Sequence, residues 1–259
     1  MAWALVTGAS VGLGAEFARQ IAAGGRNVVL VSRDAERLGI VARELEACGA
    51  ETEVLVADLA KGADVARVAR RLASEERPVD LVVNNAGFGL RHRLLEATEA
   101  ELDESLDVMV RAVMILSHAA ARAMVRRGSG SIVNVSSIAA VTVTGTYSAH
   151  KAWVSAFTEG LAGELHGTGV SATVVLPGLV RTEFHRRAGL DFTTLPGAAW
   201  LDAPTVVRSA LRAARRGRVV VTPTVRYGVL IGVARLLPRA LIRRAARSGP
   251  RRRPNPPSA

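Results

Sequence analysis

Residues Trp3-Ala4-Leu5-Val6-Thr7-Gly8-Ala9-Ser10-Val11-Gly12-Leu13-Gly14 pass from a short apolar run into a glycine-spaced turn, and a helical pattern, Ala15–Ala23, takes over at once. Strand, glycine turn, helix is the order that builds a phosphate cradle. Glycines let the backbone approach a pyrophosphate, which then rests on the N–H groups and positive end of the helix. The spacing is G-x-x-x-G-x-G, not the commoner G-x-G-x-x-G. Glycines alone often make only a tight corner. Their place between a first strand and a first helix is what points to a dinucleotide.

Outward from this turn the same alternation repeats. Trp3–Thr7, Asn27–Ser32, Thr52–Ala57, Val79–Val83, Ser131–Val135 and Val170–Leu176 are short apolar runs, as strands buried on both faces require. Helical patterns separate them, among them Asp34–Ala47, Asp64–Glu75, Glu99–Arg126 and Tyr147–His166. Such alternation predicts an α/β fold: a doubly wound parallel sheet with helices on both faces. The chain of 259 residues suits one such domain, residues 1–222, with no solenoid repeat. After Thr182 the pattern breaks. Residues 183–201 mix Gly, Pro, aromatics and Arg and are expected to form a substrate lid; Pro204 opens a helix through Arg216, and Arg218–Val221 is a last strand. Residues 223–247 read as a basic amphipathic extension, with Pro238 kinking any single helix there, and 248–259 as a disordered tail.

Further motifs follow in order: Asp58-Leu59 after the third strand, Asn84-Asn85-Ala86-Gly87 after the fourth, Tyr147-x-x-x-Lys151, and Pro177-Gly178 with Thr182. Together with Thr7–Gly14 they resemble the short-chain dehydrogenases/reductases, over roughly residues 1–221. The resemblance implies a Rossmann-type oxidoreductase using a nicotinamide cofactor. Gly8, Ser10, Gly12, Leu13 and Gly14 would hold its pyrophosphate, Asp58 and Leu59 would flank the adenine, and Asn85, Ala86 and Gly87 would line the cleft. Pro177, Gly178, Val180 and Thr182 would lie on the nicotinamide side.

An acid ending the second strand binds the ribose hydroxyls of NAD. Here Ser32-Arg33 stands instead, and Arg33 suits a 2′-phosphate by its fork geometry. Asp34 beside it, and Val11 where NADP-binding relatives often carry a basic residue, weigh against this. NADP(H) is expected over NAD(H).

Tyr147 and Lys151 are four residues apart on a helical pattern and share a face. A phenol with pKa of ~10 is a poor acid or base at neutral pH until a nearby cation lowers it, and Lys151 is expected to do so. Only Lys61 and Lys151 are lysines among 34 basic residues, which marks Lys151 as needing a compact point charge. By resemblance Tyr147 donates the proton, Lys151 also binds cofactor, and Ser137 polarises the substrate carbonyl, with Ser136 the weaker candidate. Ser137 lies ten residues before Tyr147 where relatives usually have thirteen, so the loop between is shorter. Met109 stands where relatives usually place an Asn that holds a water next to the lysine, and a thioether is a weak acceptor. This motivates a rival reading, a non-catalytic or weakly active dinucleotide-binding sensor or scaffold. His92, His118, His150, His166 and His185 lack ligand spacing, and no metal site is expected.

Charge separates the chain in two. Residues 1–202 carry 20 Lys and Arg against 23 Asp and Glu, whereas residues 203–259 carry 14 Arg and no acid. A mildly acidic body argues against a nucleic-acid groove across the fold, so no specific nucleic-acid partner is expected. The lone Cys48 and the lack of a signal-peptide pattern suit the cytoplasm. Peripheral membrane contact through Tyr227–Ala246 is one reading of the C-terminus, and a cover for the cleft or an interface is the other. Relatives commonly associate through their fourth and fifth helices, so a homodimer or homotetramer through Glu99–Arg126 and Tyr147–His166 is expected. Phe184, Leu190, Phe192, Leu195 and Trp200 would make the lid apolar and favour a hydrophobic carbonyl or alcohol substrate.

Overall fold

The computed structural model describes residues 2–90, 92–182, 184 and 197–247. Seven parallel strands form one sheet: β1 (Trp3–Thr7), β2 (Asn27–Ser32), β3 (Thr52–Val56), β4 (Val79–Asn84), β5 (Gly130–Val135), β6 (Val170–Val175) and β9 (Val220–Val221), in the order β3-β2-β1-β4-β5-β6-β9. A separate parallel pair joins β7 (Leu179–Val180) to β8 (Trp200–Leu201). The helices are α1 (Gly12–Ala23), α2 (Ala35–Glu46), α3 (Gly62–Ala73), α4 (Glu99–Leu106), α5 (Ala112–Arg127), α6 (Thr146–Glu164), α7 (Ala203–Arg215), α8 (Val225–Leu236) and α9 (Arg239–Arg247).

Strand alternation splits the core into two layers. Ala4, Val6, Val28 and Leu30 face α1, α2 and α7, where Phe17, Ile21, Leu38 and Val207 are buried. Leu5, Val29 and Val31 face α3 and α5, with Val65, Leu72, Leu116 and Met124. Each fully buried Leu or Phe contributes about 1.5–3 kcal/mol, so apolar burial on both faces dominates the stability. The strand order reverses between β1 and β4. At that switch point the carboxyl ends of neighbouring strands lead away in opposite directions and leave a crevice.

One element differs from the expected ones. Glu99–Arg126 is not one regular helix: a π-helical turn, Asp107–Arg111, joins α4 to α5. Tyr227–Ala246 is two helices, interrupted at Leu237-Pro238 as the proline, which removes a donor, led one to expect. Of the expected lid only Phe184 and Gly197–Leu201 lie among the described residues; Leu190, Phe192 and Leu195 lie outside them.

Candidate active site

The glycine turn sits at the switch point and is clamped from the neighbouring strand. Thr7 Oγ1 accepts the backbone N–H groups of Asn85 and Ala86, both at 3.0 Å, while the Asn85 amide donates to the Thr7 carbonyl at 3.0 Å. Gly12 has φ +58, the left-handed conformation that glycine adopts freely. A β-carbon on Gly14 would lie 2.0 Å from the Gly8 carbonyl oxygen, so α1 can come this close only without one.

Whether this turn fits a pyrophosphate is decided at the start of α1. Its N-cap, Val11, gives no side-chain hydrogen bond, and the first turn carries no acid. By contrast Asp34, Thr98, Asp202 and Thr224 cap α2, α4, α7 and α8. The leading amides of α1 thus have no side-chain cap, at the end where a phosphate is favoured. Thr182 faces them across the crevice, 3.4 Å from where a Gly12 β-carbon would stand. The residues fit a dinucleotide.

Arg33 follows β2 on the same side. Its Nη1 donates to Glu104 at 2.9 Å and lies 4.0 Å from Asp58. The arginine is 60% exposed, so this pair is worth ~1 kcal/mol or less and can be exchanged for a doubly charged phosphate. Asp34, whose carboxylate could have competed for a ribose, caps α2 through Arg37 N–H at 3.0 Å and pairs with Arg37 Nε at 3.3 Å.

Beyond the switch point, Ser137 leaves β5 held between two backbone bonds. Ser136 N–H donates to Val175 at 2.8 Å and Ile138 N–H to Pro177 at 2.9 Å. Ser137 Oγ accepts the Ala139 N–H at 3.1 Å, and the same hydroxyl acts to lower the pKa of Tyr147. Ser136 is turned inward and donates to the Lys151 carbonyl at 2.7 Å, which excludes it as the carbonyl-polarising group. The shortened loop is a one-turn 3₁₀ helix, Ile138–Val141, followed by a turn in which Ser148 Oγ accepts the Thr144 N–H at 3.0 Å. Val143 pays for that tightness with φ +48, strained for a β-branched residue.

The half-buried Tyr147 stands against Phe184, ring centroids 5.8 Å apart. Lys151 Nζ lies 5.7 Å from the Tyr147 ring centroid and donates to the Val135 carbonyl at 2.8 Å. Burial shifts both groups, in opposite senses. It pushes the phenol above its ordinary value, against the lowering effect of Ser137, and pushes Lys151 down to about 8. Desolvation outweighs the lowering by Ser137, so the net lowering expected for Tyr147 is not present here. Met109, fully buried in the π turn, packs beside this lysine. A β-carbon on Gly87 would lie 3.6 Å from Lys151 Nζ and 3.7 Å from the Met109 sulfur. Burial and then the Lys151 charge hold His150 below its ordinary range, with its Nδ1 buried and unpartnered.

Sequence reading missed Tyr227. Its ring lies flush on Gly178, where a β-carbon would fall 2.0 Å from it. Its hydroxyl donates to the Ala199 carbonyl at 2.5 Å and accepts the Leu179 N–H at 3.3 Å. One buried tyrosine thereby ties the Pro177–Thr182 segment to the strand pair β7–β8. A single aromatic in an apolar run gives no sequence signal for this. On the other side of α6 a cavity of about 400 Å³ lies between Ala140, Ser155, Leu176 and Arg235, away from Tyr147. Among the described residues no cluster of three or more His, Cys, Asp or Glu could hold a metal.

Residues 2–191 match the family model described as short chain dehydrogenase. The chain belongs to the short-chain dehydrogenase family. Over 187 residues it is 37% identical to a galactitol 2-dehydrogenase (L-tagatose-forming) of Cereibacter sphaeroides, covering 70% of this chain and 72% of that one. A short-chain dehydrogenase from Sphingobium yanoikuyae in complex with NADPH superposes with TM-score 0.81 at 34% identity, over 91% of this chain and 94% of that one. The bulky-bulky ketone specific alcohol dehydrogenase from Comamonas testosteroni gives 0.77 at 30% identity, covering 93% and 96%. The seven-stranded sheet and the order of motifs are those of this family, and the chain is an oxidoreductase of the short-chain dehydrogenase type.

Proposed function

We propose that this short-chain dehydrogenase is an NADP(H)-dependent carbonyl reductase or alcohol dehydrogenase acting on a bulky, hydrophobic ketone or secondary alcohol. The observation that carries the reading is the convergence of Ser137, Tyr147 and Lys151 beside the crevice of the glycine turn. Gly8, Ser10, Gly12, Leu13 and Gly14 would hold the pyrophosphate, Asp58 and Leu59 the adenine, and Asn85, Ala86, Gly87, Pro177, Gly178, Val180 and Thr182 the nicotinamide half. Arg33, once released from Glu104, would take a 2′-phosphate. When bound, the reduced nicotinamide supplies a hydride.

The chain's own part is proton chemistry. The raised pKa of Tyr147 keeps the phenol protonated at neutral pH, the form needed to donate to the oxygen of a carbonyl under reduction. Ser137 Oγ already accepts from Ala139, so its proton is free to point at that carbonyl or at Tyr147. The negative charge left on Tyr147 is opposed by Lys151, which passes between its two forms near pH 8. Phe184 against Tyr147 lines the pocket with apolar surface and supports a hydrophobic substrate. The retained Ser137, Tyr147 and Lys151 weigh against a non-catalytic scaffold, although Met109 offers Lys151 no strong acceptor.

Turnover of a panel of aryl and long-chain ketones with NADPH and with NADH tests the reading. Oxidation of NADPH faster than NADH by bulky ketones is the expected result; no turnover of any carbonyl with either cofactor contradicts it.

A further inference from the structure

α8 is apolar on two opposite sides. Tyr227 and Ile231 are buried against the body. Val225, Val229, Val233 and Leu236 recur at helical spacing on the other side and are 83%, 62%, 50% and 87% exposed. Leu230, Leu237 and Leu241 add further exposed apolar surface on these two helices and the link between them. Scattered exposed apolar residues are ordinary, whereas a continuous stripe marks a surface that something covers.

The charge around it selects the cover. Arg226, Arg239, Arg243 and Arg244 are exposed in the same two helices, as is Arg235, which lies 3.7 Å from Glu159 of α6. Residues 203–259 hold 14 Arg and no acid. A second copy seated here by two-fold symmetry would bring two such sets together, and like charges oppose that. An anionic lipid surface instead accepts the apolar stripe into its interface and attracts the arginines. We propose that α8 and α9 are a peripheral docking surface for anionic membranes, with Val225, Val229, Val233 and Leu236 entering the interface. These helices, of 12 and 9 residues, are too short to span the ~20 residues a bilayer requires. The described stretch that is long and apolar enough, Glu99–Arg127, packs against the sheet as core. This inference is independent of the redox reading.

Flotation of the full chain with vesicles of phosphatidylcholine, and of phosphatidylcholine mixed with phosphatidylglycerol, tests it. The protein should float with the mixed vesicles, far less with the neutral ones, and binding should weaken as salt is raised. Val229→Asp with Leu236→Asp, both exposed and expected to keep the parent melting temperature, should weaken binding on the order of tenfold or more. Arg239→Glu with Arg243→Glu provides a second, charge-only variant that should also lose the mixed vesicles. No flotation of the parent on the mixed vesicles, or equal flotation of parent and both variants, overturns the proposal. So does a concentration-dependent dimer, seen by light scattering, that Val229→Asp with Leu236→Asp abolishes; that result would assign the stripe to a second copy.

Discussion

Lys151 is buried with its ammonium on a backbone carbonyl, and the cost of that position is readable in solution. The folded chain gives up this proton near pH 8 and the unfolded chain near 10.5. Between those values the unfolded state binds more protons, so the stability contributed by this group rises with pH, by about 3 kcal/mol in all. Denaturant unfolding of Lys151→Met at pH 7 and pH 9.5 should show the variant more stable than the parent at pH 7 and the difference shrinking at pH 9.5. An unchanged gap would mean that the lysine is not desolvated. At Arg33 the prediction concerns specificity: Arg33→Ala should raise the KM for NADPH about tenfold, the loss of a charge-assisted fork, and leave NADH little changed. The Tyr147–Lys151 pair was legible because its spacing is local to one helix. Ser137 was preferred to Ser136 by resemblance, but the physical reason, the contacts that Ser136 makes with α6, was not legible.

At the scale of elements, the turn from Thr142 to Gly145 and the anchor of α8 carry the next tests. Val143 holds φ +48 and is 38% exposed, so replacing it loses little buried surface. A left-handed β-branched residue costs about 1–3 kcal/mol, and glycine's added chain entropy about 0.5–1. Val143→Gly should therefore raise the thermal midpoint by a few degrees; a fall would show that the turn is unstrained. Tyr227→Phe removes the partner of a half-buried Leu179 N–H, a loss of about 0.5–1.5 kcal/mol. It should also raise the KM for the cofactor more than it lowers kcat, since the hydroxyl positions the segment around Gly178 without touching the reacting atoms. The seven strands of the sheet and the core helices could be read from the apolar pattern, and Pro238 announced the break between α8 and α9. The π turn at Asp107–Arg111 could not, because one extra residue in a turn barely disturbs an apolar pattern averaged over a long helix.

Over the whole molecule, one topological fact brings the parts together. With β1 and β4 adjacent, the glycine turn and Asn85–Gly87 meet at the reversal of strand order, and β5 and β6 present Ser137 and Pro177–Thr182 on the same edge. Far-apart motifs thereby share one crevice, and the order of motifs in the sequence anticipated this. The placement of the arginine-rich end did not follow from composition, which is blind to which side of α8 is buried. In this crevice Tyr147 is proposed to be the acid of a carbonyl reduction. Steady-state NADPH oxidation by a bulky ketone at pH 7, comparing the parent with Tyr147→Phe, tests it most directly. In the variant kcat should fall by about 10²–10⁴ while NADPH still binds, as fluorescence titration would show; a variant that turns over like the parent would rule this role out.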